Sequence, residues 1–76
     1  MEIKEFIEKF AEAVEIEDAS VCTAETEFRG LSEWSSLAAL SVIAMVDEEY
    51  DITIKGDDIR QSKTIGDLFE VVKTKA

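Results

Sequence analysis

Apolar residues at Ile3, Phe6, Ile7, Phe10 and Val14 fall at spacings of three and four, with Glu2, Glu5, Glu8, Glu12 and Glu15 elsewhere. This pattern predicts an amphipathic helix over about 2–14 that buries one stripe. Acids near its start suit the helix dipole. The periodicity then fades between Glu15 and Glu33, and a loop of that length needs apolar residues to pin it to a compact domain. Val21, Phe28 and Leu31 are the expected pins, and Gly30 is expected to supply a positive φ for a turn. From about Ser36 to Glu49 the pattern returns as the least polar helix of the chain, with Val42, Ile43, Val46 and Tyr50 on its inner face. Leu37, Leu40, Ala44 and Met45 lie round the cylinder, and at about 3.6 residues per turn not all of these can face one core.

Asp51-Ile52-Thr53-Ile54 alternates as a strand would, but a run this short without a hairpin partner predicts an extended link. Lys55 to Arg60 then reads as a turn with one helical turn, and Ile52, Ile54 and Ile59 should cover the end of the bundle. Thr64-Ile65-Gly66-Asp67 has the form of a capping box with Asp in place of Glu. It opens a last helix whose buried face is Ile65, Leu68, Phe69 and Val72. The expected fold is all-α: a small bundle of three main helices and one short one, with a long first loop.

Composition narrows the function. A chain of 76 residues is expected to form a single domain, 1–76, that buries only about 60% of its unfolded surface. Its 46% hydrophobic content is that of a globular protein. No apolar run approaches a membrane span, and the start Met1-Glu2-Ile3-Lys4-Glu5 has no basic stretch followed by an apolar one, so the expected setting is the cytoplasm. Eight basic and eighteen acidic residues give a net charge of −10. Such a field repels nucleic acid and anionic membranes and steers basic protein surfaces toward the chain. Cys22 is the only cysteine and there is no histidine. These counts exclude an intrachain disulfide and offer neither a zinc site nor a His-based nucleophilic relay. No self-sufficient catalytic set stands out, and the expectation is a protein that is not itself an enzyme.

The remaining candidate chemistry is Trp34-Ser35-Ser36-Leu37, where a polar loop turns into the apolar helix. A Ser there can cap the first N–H groups of the helix, and the same end of the helix favours an anion. Leu31-Ser32-Glu33-Trp34-Ser35-Ser36-Leu37, with the helix and acidic end beyond it, resembles the prosthetic-group site of acyl carrier proteins, whose motif is Asp-Ser-Leu. Thr64-Ile65-Gly66-Asp67-Leu68 resembles the start of their last helix, and the likeness extends over nearly the whole chain.

The resemblance implies a four-helix carrier fold. It places 4′-phosphopantetheine, attached by a phosphopantetheinyl transferase, on Ser36, with cargo carried as a thioester for fatty-acid, polyketide or related biosynthesis. It also implies contact of Leu37, Leu40 and Ala44, and acidic contact of Asp47 and Glu48, with basic surfaces of acyl-loading and acyl-transferring enzymes. A monomer is the default state. Two departures stand out: Ser35 occupies the place of the motif's aspartate, and Ala38 and Ser41 stand where acids often help recognise enzymes. The alternatives are an unmodified acidic interaction domain using the same helix face, and a protein phosphorylated at Ser35 or Ser36.

Overall fold

Each run of helical spacing forms a helix. The computed structural model describes residues 2–16, 20 and 22–75. Helix α1 runs over Ile3–Ala13, a short 3-10 turn over Phe28–Gly30, α2 over Ser36–Tyr50, α3 over Gly56–Gln61 and α4 over Ile65–Lys75. Among the described residues there is no strand, only an isolated antiparallel bridge between Glu27 and Thr64. Asp51 to Lys55 is a link with neither helix nor strand, and it delivers Ile52 and Ile54 into the core.

One apolar cluster unites the helices. Phe6, Phe10 and Ala11 of α1 meet Val42 and Val46 of α2 and the predicted face of α4: Ile65, Leu68, Phe69 and Val72. Ile3, expected in the buried stripe, is 37% exposed because it sits on the first turn, beyond the edge of the core. On α2 the buried set is Ala38, Val42, Met45 and Val46, while Ile43 and Tyr50 are half-buried. The stripe is thus rotated from the expected one. Positions i, i+4, i+7 and i+8 line up on a helix, and small Ala38 lets its first turn lie against the core. Met45 is therefore inside and does not join the outer surface.

Carbonyls from the first loop satisfy the opening N–H groups of α4, which the helix itself cannot pair. Ile65 N–H donates to the Thr26 carbonyl at 3.0 Å and Gly66 N–H to the Ala24 carbonyl at 2.8 Å. A Cβ at Gly66 would stand 2.8 Å from that Ala24 oxygen, so only glycine permits the approach. Gly66→Ala is expected to cost about 1–3 kcal/mol in urea unfolding, and a change under about 0.5 kcal/mol would show that the loop gives way freely. Phe28 is fully buried and Leu31 half-buried, as expected of pins, and Ile16 and Cys22 are buried with them. Val21 lies outside the described residues.

Gly30 does not supply the expected turn. It belongs to the 3-10 segment, and among the described residues no glycine has a positive φ. The left-handed positions are Glu15, with φ 64°, and Asp51, with φ 56°. Each comes just after a helix end, where one such residue turns the chain out of the helix and redirects it.

The capping box of α4 is present in both directions. Asp67 N–H donates to Thr64 Oγ1 at 3.1 Å, while the N–H groups of Thr64 and Lys63 each donate to Asp67 Oδ2 at 3.2 Å. The bond from Lys63 and then that from Thr64 hold the Asp67 carboxyl below its ordinary 3.8. A depressed carboxyl stabilises the fold above its ordinary value and loses that effect as pH falls through its folded value. Asp67→Ala should lower the urea midpoint at pH 7, with the gap to the parent narrowing below pH 3.8. A gap independent of pH would contradict this.

Candidate functional site

Trp34 fixes the approach to α2. Its ring stacks on Phe10 at 6.0 Å with planes 4° apart and meets Phe28 at 4.8 Å, while the backbone N–H of Trp34 closes a turn on the Leu31 carbonyl at 3.1 Å. The next residue is extended, with φ −156° and ψ 175°, and forms the N-cap: Ser35 Oγ accepts the Ala38 N–H at 3.1 Å. The Ala39 N–H closes the first turn on the Ser35 carbonyl at 3.0 Å. Ser and Asp cap about equally well, so Ser35 keeps the structural part of an aspartate's role. What it lacks is the carboxylate's attraction to the dipole, about 0.3–1 kcal/mol.

Because Ser35 is the cap, Ser36 is spared that duty. It is the first residue of α2, exposed, and its hydroxyl makes no hydrogen bond to any described residue. The two adjacent hydroxyls therefore have different surroundings, one engaged by the backbone and one available.

The other residues singled out by sequence run from Ser36 down one side of α2. Leu37 is 73% and Leu40 61% exposed, large values for leucine, and Ala44, Asp47 and Glu48 are exposed beyond them. Their spacing is that of a single helix face. It is apolar beside Ser36 and acidic about 16 Å further along the axis. Asp47 and Glu48 form no ion pair among the described residues, whereas Glu49 is held by Lys9 of α1 at 2.6 Å. That hydrogen bond is the main reason the Lys9 ammonium is pushed above its ordinary value. Ala38, which stands where acids often help recognise enzymes, is 7% exposed and part of the core, and Ser41 is half-buried.

On the other flank of Ser36 lies an open groove of about 540 Å³ floored by Trp34, Ala39, Leu40 and Ile59, with Arg29 and Arg60 also lining it. Sequence reasoning missed the two arginines. Their available signal was rarity, since they are the only arginines of a strongly acidic chain, but nothing in the pattern brings residues 29 and 60 to one place.

A family model described as the phosphopantetheine attachment site matches residues 4–72. The chain belongs to this acyl carrier protein family. It is 34% identical over 65 residues to an acyl carrier protein of Treponema pallidum strain Nichols, spanning 86% of this chain and 82% of that one. It is 31% identical over 58 residues to an acyl carrier protein of an Exiguobacterium species, spanning 76% and 73%. Its fold is similar to the solution NMR structure of the holo acyl carrier protein from Geobacter metallireducens, with a TM-score of 0.78, 25% identity, and 96% and 83% of the two chains covered. The residues present fit the family's covalent phosphopantetheine: an exposed hydroxyl with no bond to a described residue stands at a helix start held by an aromatic anchor, with an open groove beside it.

Proposed function

We infer that the protein is an acyl carrier whose phosphopantetheine is attached at Ser36 by a phosphopantetheinyl transferase. The observation that carries the choice of Ser36 is the split between the two serines: Ser35 Oγ is committed to the Ala38 N–H, and the Ser36 hydroxyl is exposed and uncommitted. In the transfer, Ser36 Oγ forms a bond to the phosphorus next to pantetheine in coenzyme A. The phosphoanhydride bond breaks, adenosine 3′,5′-bisphosphate leaves, and the hydroxyl proton passes to a base. Among the described residues no base is hydrogen-bonded to Ser36. In this reading the base and the activation of the phosphate belong to the transferase, and the chain is its substrate.

When bound, the arm supplies a terminal thiol that holds an acyl group as a thioester. The chain's own part is to present the root of the arm. Trp34, packed on Phe10 and Phe28, fixes the loop ahead of Ser36, and α2 fixes the direction behind it. We take residues 1–76 as one carrier domain, a reading supported by the single apolar cluster. Among the described residues no helix is long and apolar enough to cross a membrane. The reading places the carrier in the cytoplasm as a monomer. The test is incubation with coenzyme A, a transferase and an acyl-loading enzyme: a load released by neutral hydroxylamine, as a thioester is, supports a carrier. A hydroxyl that stays intact would favour the unmodified interaction domain.

The face from Leu37 to Glu48 is assigned to partner enzymes. Leu37 and Leu40 would enter an apolar patch at the mouth of the partner's site, and basic residues about 14 Å away would meet Asp47 and Glu48. The double substitution Asp47→Lys with Glu48→Lys should lower transferase kcat/KM about tenfold at low salt, with the deficit shrinking as salt is added. An unchanged rate would remove these acids from the interface.

A further inference from the structure

We propose that Arg29 holds the phosphodiester of the prosthetic arm; this rests on attachment at Ser36. The protein carries a net charge of −10, yet both of its arginines line the groove that Ser36 also lines. They differ in state. Arg60 is paired with Asp57 one turn back on α3, and its charge is answered. Arg29 is fixed without being neutralised. Its Nη1 donates to the Ile59 carbonyl at 3.2 Å and the Arg60 carbonyl at 3.1 Å, and its guanidinium carbon stands 5.5 Å from the centre of the Phe28 ring. No carboxylate among the described residues forms an ion pair with it.

Nε and Nη2 of Arg29 make no bond to a described residue, and a guanidinium presents such N–H groups as a planar fork suited to phosphate oxygens. Ser35 adds no negative charge next to the place where a phosphodiester on Ser36 would lie. The rest of the groove suits the pantetheine segment beyond the phosphate. Trp34, Ala39, Leu40 and Ile59 offer an apolar floor to its branched dimethyl group, and about 540 Å³ lies within the range of small-molecule sites, roughly 300–1,000 Å³. Arg29 is thus a positioning residue: it orients the root of the arm and takes no part in acyl chemistry.

The test monitors the Arg29 Nε–Hε resonance and the phosphorus resonance in apo and holo protein, with attachment at Ser36 first verified by mass. On conversion to holo, the Arg29 resonance should shift and its exchange with water slow about tenfold, while that of Arg60 stays in place. In holo Arg29→Gln the phosphorus line should narrow about twofold as the phosphodiester is released, and Arg29→Lys should restore part of its width. The apo-to-holo comparison needs no substitution, so a variant that folds poorly does not decide the matter. Attachment at Ser36 with an unmoved Arg29 resonance overturns this inference and leaves the carrier intact. A shift seen only with a succinyl load, and not in unloaded or acetyl-loaded protein, also overturns it by giving Arg29 to a carboxylated cargo. Failure of attachment at Ser36 overturns both.

Discussion

Ser36→Ala is expected to abolish phosphopantetheine transfer and with it every acyl load, while leaving urea stability within about 0.5 kcal/mol of the parent. Ser35→Ala is expected to do the reverse: loading continues and stability falls by about 1 kcal/mol. The contrast arises from the two hydroxyls. Ser35 Oγ accepts the Ala38 N–H at 3.1 Å, and removing it leaves a helix-opening donor without that partner. Ser36 Oγ has no bond to a described residue, and its removal leaves the helix as it was. Both quantities are read from one preparation of each variant, by denaturant titration and by the extent of loading. Equal loss of stability in the two variants would mean that the cap is shared. Equal loss of loading would mean that the transferase reads Ser35 as closely as Ser36.

Phe10→Ala carries the largest expected loss of stability, about 3–5 kcal/mol. The ring has no solvent exposure and lies at the centre of the aromatic set, 6.4 Å from Phe6, 5.8 Å from Phe28 and 6.0 Å from Trp34. A chain this short has a total stability of only a few kcal/mol, so the variant should be largely unfolded or close to it at 25 °C. The consequence extends to function because Phe10 is also the surface on which Trp34 stacks, one residue before the cap of α2. Where the variant is kept folded by added salt or low temperature, loading at Ser36 should slow as the approach loop loses its floor. A loss below about 1 kcal/mol in urea unfolding would contradict the central place given to this ring.

The elements legible in sequence are those whose signals are local. Thr64 and Asp67 lie three apart and cap each other, so the start of α4 and its face of Ile65, Leu68, Phe69 and Val72 could be read directly. The exposure of Leu37 and Leu40 was legible for a similar reason, since α2 has more apolar residues than one face can hold. That same richness hid the rotation of the helix. When nearly every position is apolar, periodicity does not say which stripe is inward, and it did not mark Ala38 and Met45 as core residues.

Gly30 was expected to make a left-handed turn because glycine adopts it most easily. The structure uses Glu15 and Asp51 instead, at helix ends where the exit of the chain decides the conformation. The surroundings of Ser36 were only half visible. Trp34, Ser35 and Ser36 are neighbours in sequence, but the groove joins Arg29 to α3 through contacts thirty residues apart, which no local pattern encodes.

The central claim is that Ser36 carries the arm. It is tested most directly by the intact mass of the protein before and after incubation with coenzyme A and a broad-specificity phosphopantetheinyl transferase, then by fragmentation of the peptide containing Trp34 to Leu37. The account predicts a gain of one phosphopantetheine, located on Ser36 and absent from Ser36→Ala. A gain located on Ser35, or no gain while a known carrier is modified in parallel, would contradict it.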